Sequence, residues 1–243
     1  MLIINADDFG RDKMATETAT TCFQQQRISS VTAMVFMSDS QRAAAIAYDE
    51  GMSVGLHVNF TEAFSAPECP TAVVSQQEKI RKFLRGHKYA LLFYHPLLRV
   101  AFRDVVEAQL EEFHRIFGKE PTHFDGHQHM HLCTNMLVGN FLPNGVIVRR
   151  SFSFDRGEKS AVNRAYRRMV DRRLSRRYKT TDFFFSLESA LNADGTADII
   201  GVSKRSKVEL MTHTWQQLEY DWLMSDGFLR VTEGVDLRSY EAI

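Results

Sequence analysis

The sequence predicts one α/β domain on a mainly parallel sheet, and three observations carry that reading. Short apolar runs alternate with helix-period stretches. Polar, metal-competent side chains stand at the ends of several of those runs. No internal repeat and no low-complexity linker divides the 243 residues. Polar residues recurring at strand C-termini fit the catalytic face of a β/α barrel. They fit equally the switch point of an open doubly wound sheet.

Leu2-Ile3-Ile4 reads as a buried strand delivering Asp7 and Asp8 at its end. Residues 12–26 read as a helix, Val31 to Met37 as a second strand, and Asp39 to Tyr48 as an Ala-rich helix. Met52 to Val58 is a third strand, delivering His57. Residues 60–80, with Pro67, Pro70 and few periodic apolar positions, read as a loop long enough to act as a lid. Between Phe102 and Phe117, residues Val105, Val106, Leu110, Phe113, Ile116 and Phe117 share a helical face, and Gly118 ends the helix. Pro121 to Phe124 leads into a His-rich segment, and Val146 to Val148 is a further strand ending at Arg149-Arg150. A basic amphipathic helix follows. Lys207 to Met211 is a late strand delivering His213, and Leu218 to Met224 belongs to a final helix.

The apolar fraction of 44% and charged fraction of 25% are those of an ordinary globular chain. A formal net charge of zero hides an asymmetry: Arg164 to Lys179 holds seven Arg, one Lys and one Asp, a local +7. Cys22, Cys69 and Cys133 form no CxxC pair, which argues against a disulfide framework and fits a reducing compartment. The start, MLIINADDFG, lacks the basic and apolar regions of a signal peptide. No apolar stretch approaches the roughly 20 residues of a membrane span. The expected location is the cytoplasm. Neither a dinucleotide fingerprint nor a GxxxxGK[ST] phosphate loop is present.

Three strand-end segments concentrate carboxylates and imidazoles: Asn5 to Gly10, Gly55 to Asn59, and Asp125 to His131. That mix suits a catalytic divalent metal. On a regular strand Asp7 and Asp8 point to opposite sides, so one can bind a metal while the other stands near its water. The plainer reading is a helix N-cap pair. His57, alone in an apolar run, reads as a ligand or a core histidine, and Asn59 as a substrate contact or a turn cap. Taken as a strand, residues 125–131 place His127, His129 and His131 on one face, a poor core and a good site. His213 suits a general acid or a plain turn. Arg149 and Arg150 hold a carboxylate or an oxyanion, or lie on a solvated edge. The basic stretch reads first as a helix with one packed and one solvated face. The sharper alternatives are an anionic membrane surface or a phosphate-bearing substrate. Nucleic acid is not expected, because no RNA or DNA module accompanies it.

These segments resemble the YdjC-like carbohydrate deacetylase family. The resemblance runs almost end to end, through NADDFG, GLHVNFT, PTHFDGHQHMH, VELMTH and the closing Leu237-Arg238-Ser239-Tyr240. This chain reads DGHQHMH where the chitooligosaccharide branch often has DSHHHVH, a departure at Gly126 and Gln128. The resemblance implies a single-domain distorted (β/α) barrel of TIM-like type over residues 1–243. A basic helical insert at about 160–180 lies outside the shared pattern. It implies removal of an N-acetyl group from an acetylated amino sugar or glycoconjugate, aided by one divalent metal ion, Zn²⁺ or Mg²⁺. Carried onto this chain, Asp8, His57 and His127 are the metal ligands, Asp7 the base and His213 the general acid. Asn59, His129, His131 and Arg149 are then substrate contacts. A metal-dependent hydrolase of another bond, such as a phosphoester, would use the same ligands with the arginines gripping phosphate. A metal- or sugar-binding protein without turnover is the third reading, and it needs neither Asp7 nor His213. A homodimer is left open.

Overall fold

The apolar start of the chain lies at the centre of the molecule. All eight residues of Leu2–Phe9 (β1) are buried. Parallel partners flank the strand on both sides, which is why its apolar run does not alternate. The computed structural model describes residues 1–153, 160–193 and 195–243. Its other strands are Ser30–Ala33 (β2), Val54–Val58 (β3), Phe124–Gly126 (β4), Phe183–Ser186 (β5) and Val208–Thr212 (β6). They form one parallel sheet in the order β4-β3-β2-β1-β6-β5.

Ladder bonds continue beyond the β4 edge as isolated parallel bridges, Phe124 with Val148 and Ile147 with Lys179. The Ser153 N–H donates to the Phe184 carbonyl at 2.8 Å. Residues 146–153 therefore reach from one sheet edge to the other. The strand expected at Val146 to Val148 is present only as these bridges. Among the described residues the expected TIM-like barrel is a six-stranded parallel half-barrel, not a ring of eight strands.

Helices connect the strands: Lys13–Gln24 (α1), Ser40–Asp49 (α2), Thr71–Gly86 (α3), Arg99–Phe117 (α4), Thr134–Gly139 (α5), Ala161–Leu174 (α6), Leu187–Asn192 (α7), Thr196–Ser203 (α8), Gln217–Met224 (α9) and Asp226–Thr232 (α10). Asp12 caps α1 by accepting the Ala15 N–H at 2.9 Å. Gly118 ends α4 in the left-handed region at φ 64°. The expected lid at 60–80 is corrected: from Thr71 onward the chain is helix α3. Its buried stripe is Gln77, Ile80 and Leu84, and the polar Gln77 broke the apolar period. Gln77 is buried because its Nε2 donates to the Glu62 carbonyl at 2.8 Å. The strand expected over Val31 to Met37 stops at Ala33.

Helix α6 carries the basic segment and packs Val170 and Leu174 inward. Its sole acid, Asp171, accepts from Arg150 Nη2 at 2.6 Å and from the Ser151 N–H at 3.0 Å. Among the described residues no helix is long and apolar enough to cross a membrane.

One buried ion network ties the sheet together. Arg149 is fully buried. Its Nη1 and Nη2 donate to the two Asp7 oxygens on β1, each at 2.7 Å. Nη1 also lies 2.6 Å from Asp125 on β4, and Nε 2.7 Å from Glu209 on β6. Removing one member of such a cluster leaves the rest buried and uncompensated. Arg149→Met is expected to cost on the order of 3–5 kcal/mol in urea unfolding, and a loss under 1 kcal/mol would contradict this.

Glu209 adds a pH dependence. Burial pushes its carboxyl up to about 7, against the attraction of Arg149. The folded state therefore holds this proton more tightly than the unfolded state. Its contribution is complete below the ordinary carboxylate range and is lost as pH rises toward 7. Glu209→Gln mimics the neutral form and should flatten that fall. Urea unfolding of both proteins near pH 5 and pH 8 checks it, and parallel pH profiles would refute it.

Candidate metal centre and active site

The site starts from a defect in β1. Ala6 pairs with Val31 and Phe9 with Ala33, so Asp7 and Asp8 together oppose the single residue Thr32. This is a β-bulge, a device that re-aims side chains. Asp8 sits in the left-handed region at φ 65°, where residues with a Cβ are uncommon. The bulge replaces the simple alternation expected there. Asp7 turns to Arg149, and Asp8 turns to the histidines.

Asp8 Oδ1 lies 3.4 Å from His57 Nε2 and 3.0 Å from His127 Nδ1. One ligand atom from each of the three fits within 4.8 Å of the others. The far nitrogens are held by carboxylates: His57 Nδ1 lies 2.7 Å from Asp125 Oδ1, and His127 Nε2 lies 3.2 Å from Glu62 Oε2. A carboxylate behind each imidazole fixes its tautomer and ring direction, as at metal sites. Asp8 Oδ2 is anchored separately by Arg11 Nη1 at 2.9 Å and Trp215 Nε1 at 3.1 Å. The Arg11 guanidinium lies over the Trp215 ring at 4.3 Å.

The electrostatics fit a cation. Burial works against a charged His57, yet Asp125 and Asp8 push it up to about 10. His127 is also raised against burial, chiefly by Asp8 and Glu62. Burial opposes an ionised Asp8, and the hydrogen bonds of His127 and His57 still hold it well below the usual carboxylate range. Both shifts favour positive charge among the crowded carboxylates. A divalent ion on the same three atoms would supply it instead.

The His-rich segment differs from the expected strand. β4 ends at Gly126, and residues 127–132 form a tight 3₁₀ turn with Gln128 and His129 at φ 53° and 58°. A Cβ on Gly126 would stand 2.9 Å from the His131 nitrogen, so only glycine lets the chain fold back there. The three imidazoles separate as a result. His127 joins the ligand set. His129 packs edge-on to Phe152 at 4.5 Å, and burial with the Arg149 charge lowers it to about 3. His131 is buried, with Nε2 3.0 Å from the Arg149 carbonyl oxygen, and burial lowers it to about 4.

A cavity of about 390 Å³ opens over the set, lined by Asp7, Asp8, His57, His127, His129 and His213 among others. His213 follows β6, with Nδ1 3.6 Å from Glu219 Oε1. Burial opposes its proton, but Glu219 and the two aspartates raise it above the ordinary histidine value. Asp7 is held ionised, its carboxyl lowered against burial by Arg149.

Three expected substrate contacts face elsewhere. Asn59 is fully buried; its Oδ1 accepts from the Thr61 and Glu62 N–H groups at 3.1 and 2.9 Å, so it shapes the turn that presents Glu62. Arg149 is enclosed by carboxylates, and His131 by the Arg149 backbone. His129 alone of the four lines the cavity. Arg11, Glu62, Trp215, Glu209 and Glu219 received no role from the sequence. Asp125 stood in the motif without one, although its place two residues before His127 was the available signal.

Comparisons with known proteins identify relatives of the chain. A chitooligosaccharide deacetylase of Serratia marcescens is 32% identical over 133 residues, 54% of this chain and 51% of that one. A carbohydrate deacetylase of Homo sapiens is 31% identical over 133 residues, 54% of this chain and 41% of that one. The chain spans about half the length of these relatives in the matched region. A solved structure from Enterococcus faecalis V583, described as a putative cellobiose-phosphate cleavage protein, has the same fold. Its TM-score is 0.65 at 19% identity, over 99% of this chain and 97% of that one. The family model described as YdjC-like protein matches residues 1–233, and the chain belongs to that family.

Proposed function

We propose that this protein is a metal-dependent hydrolase that removes the N-acetyl group from an acetylated amino sugar or glycoconjugate. One observation carries the reading: a cavity that holds a convergent Asp8-His57-His127 set also holds an ionised carboxylate, Asp7, and a raised histidine, His213. The names of the two relatives supply the substrate class. The bridging of β4 to β5 by residues 146–153 supports a distorted (β/α) barrel with its site at the strand C-termini.

Asp8, His57 and His127 would hold one divalent ion, and the imidazole-rich set favours Zn²⁺ or another first-row ion over Mg²⁺. Such an ion supplies Lewis-acid polarisation of the amide carbonyl and acidifies water. Asp7 accepts a proton as the water oxygen bonds to the carbonyl carbon. His213 donates a proton to the amide nitrogen as the C–N bond breaks, giving acetate and a free amine. Asp7 is a weak base, because Arg149 holds its proton affinity down. A base this weak suits a water of lowered pKa, which the ion would supply. Arg149 and Arg11 are engaged by carboxylates, which weighs against a phosphate grip. A base and an acid in one cavity weigh against binding without turnover.

Asp7→Asn is expected to keep metal and lose acetate release by about 10²–10⁴-fold, and full activity would refute the base. His127→Ala should lose stoichiometric metal by elemental analysis; unchanged content would remove it from the set. The alkaline limb of kcat/KM should fall above pH 6.5, because His213 must be protonated to act and its affinity is raised. His213→Gln should abolish that limb, and an unaltered limb in the variant would reassign the acid.

A further inference from the structure

The reaction cavity is not the largest concavity. One of about 790 Å³ opens beside it, and both are lined by Gln128 and His129. Their walls differ in kind. The smaller is lined by carboxylates and imidazoles. Most of the larger one's exposed lining is apolar, from Leu91, Leu92, Met130, Leu132, Val162 and Val170 with the Phe184 ring against the partition, and Lys88, Arg150, Asn163 and Arg167 stand among them. His129 is that partition. Its left-handed backbone sets the ring edge-on to Phe184 at 5.8 Å. Its buried Nδ1 has no hydrogen-bond partner among the described residues. Apolar surface is left in water on both sides of the mouth: Leu92 is 43% and Val162 80% exposed.

A sugar needs polar partners for its hydroxyls, and a wall of mostly apolar area offers few. A chain of methylenes gains from the same walls. We propose that this groove takes the apolar aglycone of the substrate, so that the protein acts on an amphiphilic glycoconjugate. The N-acetylated amino sugar sits in the ionic cavity, and its tail passes His129 to lie along Leu92, Met130 and Val162. The proposal rests on the deacetylase reading for the sugar end. The groove itself stands on its continuity with the cavity and the chemistry of its walls.

The test uses the full chain with Zn²⁺ and three probes below their micelle-forming concentrations. These are the methyl and octyl β-glycosides of N-acetylglucosamine and its free dimer. Acetate release and calorimetric binding are both read. The octyl glycoside should show a KM and a dissociation constant at least about tenfold below those of the methyl glycoside. The dimer should show no such gain. Leu92→Asp and Val162→Asp should each bring the octyl values to the methyl ones. Val162 is exposed enough to accept Asp without loss of fold. Equal binding of octyl and methyl glycosides overturns the groove whatever the acetate yield, and so does an octyl advantage that survives both variants. A gain for the dimer equal to that for octyl overturns it in favour of an oligosaccharide groove. Octyl-selective binding lost in both variants supports the groove even if no probe releases acetate, an outcome that would sink the deacetylase reading alone.

Discussion

The contact of Arg149 with three carboxylates is the constraint on which the rest of the site depends. One guanidinium, fully buried, meets Asp7 on β1, Asp125 on β4 and Glu209 on β6. β1 and β6 are neighbours while β4 is the far edge of the sheet, and the residue that joins all three comes from the segment spanning the sheet edges. A buried charge cluster of this kind is a poor source of net stability compared with apolar packing. Its effect here is positional. The planar fork fixes Asp7 through two bonds at once, which a lysine could not do.

Asp125 passes that constraint to the metal set. One of its oxygens meets Arg149 and the other holds His57 Nδ1. The direction of His57 Nε2 toward Asp8 is therefore set by the same network that fixes Asp7. The hydroxyl of Thr32, the residue facing the bulge, lies 3.2 Å from Asp7 Oδ1 and 3.1 Å from Asp125 Oδ2, and its one proton shared between them closes the loop of contacts. The proposed base and the proposed ligands thus share a frame.

Much of this was legible in the sequence, and the failures have physical causes. Strand-end chemistry at Asp7, Asp8, His57, His127 and His213 could be read because parallel strands buried on both faces leave continuous apolar runs that stop where the polar residue begins. The buried partners were harder to see. Arg149, Asn59 and His131 look like contacts because polar residues are usually exposed, and only tertiary neighbours show that each is satisfied internally. Helix α3 escaped because its inward stripe contains Gln77, which is paired with backbone rather than water. The 127–132 turn escaped because alternation of His with other residues suggests a strand, while left-handed Gln128 and His129 carry no glycine to announce themselves.

The basic segment shows how charge can mislead about role. Seven arginines draw the eye outward, to membranes or phosphate. The residue that decides where α6 sits is its single acid. Asp171 receives Arg150 and Ser151, next to the arginine that holds Asp7. Once docked there, α6 turns Val162 and Val170 toward Leu91 and Leu92 across the groove. The arginines Arg168, Arg172 and Arg176 remain exposed, while Arg167 lines the groove beside the two valines. On this account the basic segment supplies no chemistry. It supplies the shape beside the chemistry, which is where two members of a family with the same catalytic set can differ in what they accept.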